Sequence, residues 1–306
     1  LNGDMELALT QLEQLQPDSA VLYTLAVYAN SAGLQDRTAQ YYQELRKLDS
    51  QGGSEHFYFC GQVAEVLVLY EDAVDCYRRV ETGDDVKAAK IRLAYALSQA
   101  EGAEEAIEYL HELQQLDDEE LIEQAFVAEA EVLRQSGDLE GSLNRLSDGL
   151  AKLRDNPNLL YMRAIVAEAM SDYFLAEQDL RIIIQNDPNN AVALNALGYT
   201  LANRTDRYGE ALSLIKRALS INPHDPATLD SMGWVMYRRG ELDEAEQYLR
   251  RAYQGDQNAE IAAHLGEVLW QKGQQDEAKA VLQSAQQIDA SNMALLEVLE
   301  RLGIEL

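Results

Sequence analysis

Small side chains recur through this chain on a regular grid, and that grid limits the fold more than any other feature. Glycines followed by a large residue stand at Gly198, Gly233 and Gly266, in steps of 35 and 33 residues. Twelve or thirteen residues beyond each comes a second small residue, Ala211, Ala245 and Ala278. Carried backwards, the grid meets Ala164 with Ala176, Ala130 with Ser142, Ala94 with Ala106, Gly61 with Ala73 and Ala26 with Thr38. Four residues after each second position stands a bulky apolar side chain: Tyr42, Tyr77, Leu110, Leu146, Leu180, Ile215, Leu249 and Leu282. An offset of four keeps the small and the bulky residue on one helical face. The unit is therefore a helical hairpin of about 34 residues. Small residues let its two backbones approach, and large ones fill the flanks. Glycine inside a helix costs ~1 kcal/mol relative to alanine. At Gly233 the close approach of Ala245 accounts for that cost.

Turn chemistry agrees. Gly33, Gly137, Gly240 and Gly273 fall where first helices should end, the place where glycine is preferred. Pro188 and Pro223, in "NDPNN" and "NPHD", stop second helices and open the next unit. The pattern predicts an all-α solenoid of helix-turn-helix hairpins. Eight units start near residues 19, 54, 87, 123, 157, 191, 226 and 259. Residues 1–18 read as the second helix of a truncated preceding repeat, its helical part at 3–16. Residues 293–306, which open with "MALLEVLERLG", read as a C-terminal capping helix over the last apolar face. The stretch is expected to be part of a longer array.

Composition narrows the function classes. The formal charge is −28, a balance that repels nucleic-acid phosphates and anionic lipid and draws basic partners. The acids are spread along the chain, so they also keep a long, exposed protein soluble. No run reaches the ~18 apolar residues of a membrane span. No GxSxG, GxxxxGK[ST] or GxGxxG motif occurs, and no catalytic site, cofactor site or metal site is expected. The four histidines lie far apart; His264, with Glu260 and Glu267 on its own helix face, reads as a solvated ion pair. Cys60 and Cys76, sixteen residues apart, read as small buried hydrophobes.

Binding is expected where first helices line a concave face. Core residues take the fourth, seventh, eighth and eleventh positions of each unit. The second, fifth, ninth, twelfth and thirteenth then face the groove. This register nominates Asn195, Tyr199 and Asn203, then Asp230, Trp234, Tyr237 and Arg238, then Glu267 and Trp270. Tyr23, Tyr58, Tyr95 and Tyr161 hold such positions in earlier units. Trp, Tyr and Arg dominate interface energetics, and Asn can pin a peptide backbone with paired hydrogen bonds. Trp234, beside the crossing glycine, is expected to point into the open groove.

The hairpin pattern resembles the tetratricopeptide repeat over essentially the whole chain, most closely at 157–292, and that resemblance implies that the solenoid winds into a right-handed superhelix. It departs from the family at Glu129 and Arg163, positions usually apolar, and "EGAEEAIEYLHELQQLDDEE" contains an extended acidic loop between repeats. The groove positions that would form a chaperone-tail carboxylate clamp carry few bases, so a carboxylate tail is not the expected ligand. Residues 191–253 are similar to proteobacterial outer-membrane lipoproteins of this family that bind a periplasmic carboxyl-terminal processing protease. That resemblance implies a non-catalytic adaptor on the periplasmic side of the outer membrane. It would support the protease and bring it cell-wall hydrolases, held by a lipid anchor upstream of this stretch. Two further readings fit the same residues: an assembly factor for a pilus- or secretin-type envelope machine, and a scaffold domain of a larger enzyme.

Overall fold

The computed structural model describes residues 9–306. They contain no strand; helices follow one another in pairs. Of the helix expected at 3–16, residues 3–8 lie outside the described residues and 9–12 are helical. The chain divides into two compact units, one ending at Arg154 and the other beginning at Asp155.

Four hairpins make up the first unit: Ser19–Ser31 with Gln35–Arg46, Ser54–Val66 with Tyr70–Arg78, Val86–Ala100 with Ala103–Leu113, and Glu119–Gln135 with Leu139–Lys152. Four more make up the second: Pro157–Ala169 with Tyr173–Asn186, Ala191–Arg204 with Tyr208–Ile221, Pro226–Arg238 with Leu242–Gly255, and Ala259–Gln271 with Gln275–Ile288. Helix Met293–Leu302 closes that unit. The fourth hairpin starts at Glu119, four residues before the expected position, because Asp118 caps it by accepting from the Leu121 N–H. Asp18, Asn156, Asn190, Asp225, Asn258 and Asn292 cap other first or closing helices in the same way. Pro157 and Pro226 sit where a missing N–H is harmless.

The crossing geometry follows from the small-residue grid. A Cβ built on Gly233 would lie 2.5 Å from Leu249 Cγ and 3.1 Å from the Ala245 carbonyl oxygen. Gly198 would meet Ile215 at 2.5 Å, Gly266 would meet Leu282 at 2.6 Å, and Gly61 would meet the Tyr77 ring at 2.4 Å. The small residue of the first helix thus receives the bulky residue of the second, and the eight bulky residues are all buried. Gly33, Gly137, Gly240 and Gly273 end first helices with φ between 74° and 86°. Val68 and Ser171 adopt the same left-handed turn without being glycine, at φ 60° and 63°.

Both departures from the apolar pattern are paired inside their units. Glu129, 1% exposed, accepts from Gln114 Nε2 at 2.6 Å and lies 2.9 Å from His111 Nε2. Arg163 donates Nε and Nη2 to the two carboxylate oxygens of the fully buried Asp179, both at 2.7 Å. Cys60 and Cys76 are free and buried, as small core residues would be. They also share a polar neighbour that the sequence did not suggest: Arg46 Nη1 donates to Cys76 Sγ at 3.0 Å. The hydrogen bond with Cys60, then burial, push the Cys76 thiol far up.

Candidate protein-binding groove

The second unit carries a hollow of about 410 Å³, lined only by first helices and the turns that lead into them. Tyr161, Ile165 and Glu168 come from the fifth hairpin, and Val192, Asn195 and Tyr199 from the sixth. The seventh supplies Asp225, Thr228, Asp230 and Ser231, and the eighth supplies Asn258, Glu260 and Ile261. The residues recur because the second, fifth, ninth and twelfth positions of successive first helices fall on one face. Val192 and Ile165 leave apolar surface open to solvent, at 57% and 38% exposure.

Among the nominated residues, Asn195 and Tyr199 border this hollow while staying partly exposed. The Tyr199 hydroxyl donates to Glu260 Oε1 at 3.0 Å. Burial, then the neighbouring carboxylate charges, hold that phenol well above the usual tyrosine range. Asn195 Oδ1 is buried with no hydrogen-bond partner.

Trp234 departs from expectation. It is 2% exposed and does not face an open trough. Its indole stacks on His264 of the next hairpin, centroids 4.2 Å apart and planes 25° apart, and lies 5.1 Å from Tyr237. Arg301, from the closing helix, brings its guanidinium to 5.7 Å from the indole centroid. The indole Nε1 donates to Asn203 Oδ1 at 3.3 Å. A single hairpin would leave this side chain open; the following repeat and the closing helix cover it.

His264 is likewise not a solvated ion pair. It is 2% exposed, and its Nδ1 lies 2.9 and 3.0 Å from the two carboxylate oxygens of Asp230, itself 4% exposed. Burial opposes the imidazolium, but the Asp230 charge and hydrogen bond outweigh it and the pKa of His264 is raised. Glu267, 1% exposed, accepts from the Tyr237 hydroxyl at 2.9 Å and from Arg301 Nε and Nη2 at 2.9 and 2.8 Å. Arg238 donates to the Asn203 carbonyl at 2.9 Å and to the Tyr208 hydroxyl at 3.0 Å. Asn203, Tyr237 and Arg238 thus tie neighbouring hairpins together. Trp270 is partly buried, with the Lys279 ammonium 5.9 Å from its ring centroid.

Of the earlier tyrosines, Tyr161 lines the hollow. In the first unit, Tyr23 stacks on Phe59 at 4.5 Å, Tyr58 packs beside Tyr77 at 6.1 Å, and Tyr95 stays 42% exposed beside Tyr70. Sequence reasoning did not nominate Glu168 for the groove and took Glu260 only as a neighbour of His264, although they hold the twelfth and second positions of their units. The register itself would have found them. Among 53 acids they had no distinguishing type. Arg301 gave no signal, because nothing in the repeat grid says where a closing helix lies.

Paired helices crossing at small residues, stacked so that first helices frame a hollow, define a helical-repeat binding protein. Family models described as tetratricopeptide repeat match residues 189–258 and 236–301, so residues 189–301 carry repeats of that family. The chain is 44% identical over 207 residues to the TPR repeat-containing protein PA4667 of Pseudomonas aeruginosa, which takes in 68% of this chain and 35% of that protein. It therefore spans about a third of that relative's length. Among solved structures, the thermophilic TPR protein TTC0263 of Thermus thermophilus superposes with a TM-score of 0.52 at 22% identity, over 60% of this chain and 100% of that one. The Pseudomonas aeruginosa pilF structure superposes with a TM-score of 0.52 at 19% identity, over 71% and 98%. These two likenesses are of fold. No helix among the described residues is long and apolar enough to cross a membrane.

Proposed function

We propose that the chain is a protein–protein interaction scaffold whose second unit seats a segment of a partner in the hollow between its first helices. One observation carries this reading: a concavity of about 410 Å³ with exposed apolar side chains at its edge and, in its lining, a buried amide oxygen of Asn195 without a partner. Such a surface suits a protein segment, with apolar contact for affinity and convergent polar groups for orientation. More narrowly, the chain is an adaptor for a periplasmic carboxyl-terminal processing protease, supporting its activity and presenting cell-wall hydrolases to it. It would be held at the periplasmic face of the outer membrane by a lipid anchor upstream. The similarity of residues 191–253 to adaptors of that kind supports the narrower reading.

The test is to mix the full chain with the purified protease from the same cell. Co-elution on size exclusion and faster cleavage of a cell-wall hydrolase are expected. Val192→Glu, at an exposed rim position, should weaken the complex while circular dichroism stays unchanged. Absence of a complex, with a correctly folded chain and an active protease, refutes the adaptor reading.

A further inference from the structure

Resting on the reading that the hollow seats a partner segment, we propose that it takes one cationic side chain of that segment, an arginine guanidinium or a lysine ammonium. Four carboxylates line the hollow, Glu168, Asp225, Asp230 and Glu260, and among the described residues no lysine or arginine does. They come from three different first helices and the turn before one of them, so the fold brings them together. Asp225 is spent on capping, accepting from the Thr228 N–H and hydroxyl. Asp230 holds His264. Glu168 and Glu260 remain as the carboxylates with acceptor capacity toward the space.

The second observation concerns a neutral group. Asn195 Oδ1 is buried and has no donor, an arrangement that costs the desolvation of that oxygen unless a ligand N–H reaches it. A guanidinium has five donors and no acceptor, and an ammonium has three. Either meets the orphan amide oxygen and the carboxylates at once. Tyr161 and Tyr199 line the same space, and cations favour aromatic faces. Arg163 and Arg204, on two of the first helices that supply the lining, are committed elsewhere, Arg163 to Asp179 and Arg204 to Glu297. Burial also raises the Glu168 pKa, with Glu260 adding to that and Arg204 opposing it. An incoming cation relieves this strain; an anionic ligand would deepen it.

A divalent metal is the rival occupant, because ligand atoms of Asp230, Glu260 and His264 lie within 4.8 Å of one another. Asp230 and His264 already spend themselves on each other, which leaves Glu260 alone of the three with acceptor capacity beyond the hydrogen bond its Oε1 takes from the Tyr199 hydroxyl. The His264 ring is moreover stacked against Trp234. The Asp230–His264 pair is closed on itself, whereas Asn195, Glu168 and Glu260 line the space beside it.

The experiment uses the full chain and extended alanine–serine host peptides carrying one arginine, one lysine, one citrulline or one norleucine, read by fluorescence anisotropy. The charged peptides should bind about ten- to hundred-fold tighter than their neutral isosteres, the worth of a charge-assisted hydrogen bond. Glu260→Gln and Glu168→Gln should each shrink that ratio severalfold without altering circular dichroism. Equal affinity for arginine and citrulline, or a ratio unchanged in both variants, overturns the proposal. So does zinc binding by the chain alone at one equivalent that is lost in His264→Gln, or a preference abolished by EDTA. If the protease complex forms and survives both glutamine variants, this inference fails while the adaptor reading stands. Arginine selectivity without a protease complex fails the adaptor reading alone.

Discussion

Gly233→Ala tests the crossing rule directly, because two effects of known sign oppose each other there. On an ordinary helix the change stabilises by ~1 kcal/mol through helix propensity. At this site the new methyl would sit 2.5 Å from Leu249 Cγ and 3.1 Å from the Ala245 carbonyl oxygen. Leu249 is fully buried and the other contact is backbone, so neither yields without moving the helix pair. Overpacking of this kind costs about 1–3 kcal/mol, which leaves a net loss of up to about 2 kcal/mol. In a Leu249→Ala background the nearest clash is gone, and the same substitution should instead gain up to ~1 kcal/mol. The two tryptophans, Trp234 and Trp270, both lie in the second unit, so urea unfolding followed by indole fluorescence reads that unit alone. The reversal of sign between backgrounds is the decisive result. If Gly233→Ala stabilises both backgrounds equally, close approach is not why glycine stands there, and the grid loses its physical basis.

Trp234→Ala should cost about 3–5 kcal/mol, as expected for a buried aromatic, measured by far-UV circular dichroism in urea; a loss under ~1 kcal/mol would mean the indole is not sealed between repeats. Val68→Gly should raise the melting temperature of the first unit, because a β-branched residue at φ 60° carries ~1–2 kcal/mol of strain and at 66% exposure it has little packing to lose; a lower melting temperature contradicts this. Arg163→Met leaves the carboxylate of the fully buried Asp179 without its ion-pair partner and should cost about 3–5 kcal/mol, whereas adding Asp179→Leu should restore most of it in the same urea assay. The His264 pKa is raised from 6.5, so the native state binds this proton more tightly than the unfolded chain does. The stability it adds is fully present below pH 6.5 and is lost as pH rises through the higher folded value. Asp230, Glu260 and Glu267 all favour the charged ring, and His264→Gln should flatten the slope of second-unit stability against pH; an unchanged slope refutes the assignment.

What could be read from the sequence was what repeats within one hairpin. Ala245 and Leu249 announce their role through spacing alone, since an offset of four on a helix leaves them one face to share. Gly240 and Gly273 announce turns through backbone freedom. Trp234 shows where this kind of reading stops. Its register position was right and its surroundings were wrong, because those surroundings come from His264 one repeat later and Arg301 beyond the last repeat. Periodicity places a side chain on a helix face, whereas burial depends on what stacks against that face. The same distinction explains His264. Its own helix offers Glu260 and Glu267 as neighbours, but the partner that holds it is Asp230 of the previous hairpin. In a stacked array the buried polar side chains to test first for function are therefore those with an atom whose partner is missing after stacking, and among the described residues of the second unit Asn195 is the one that meets this condition.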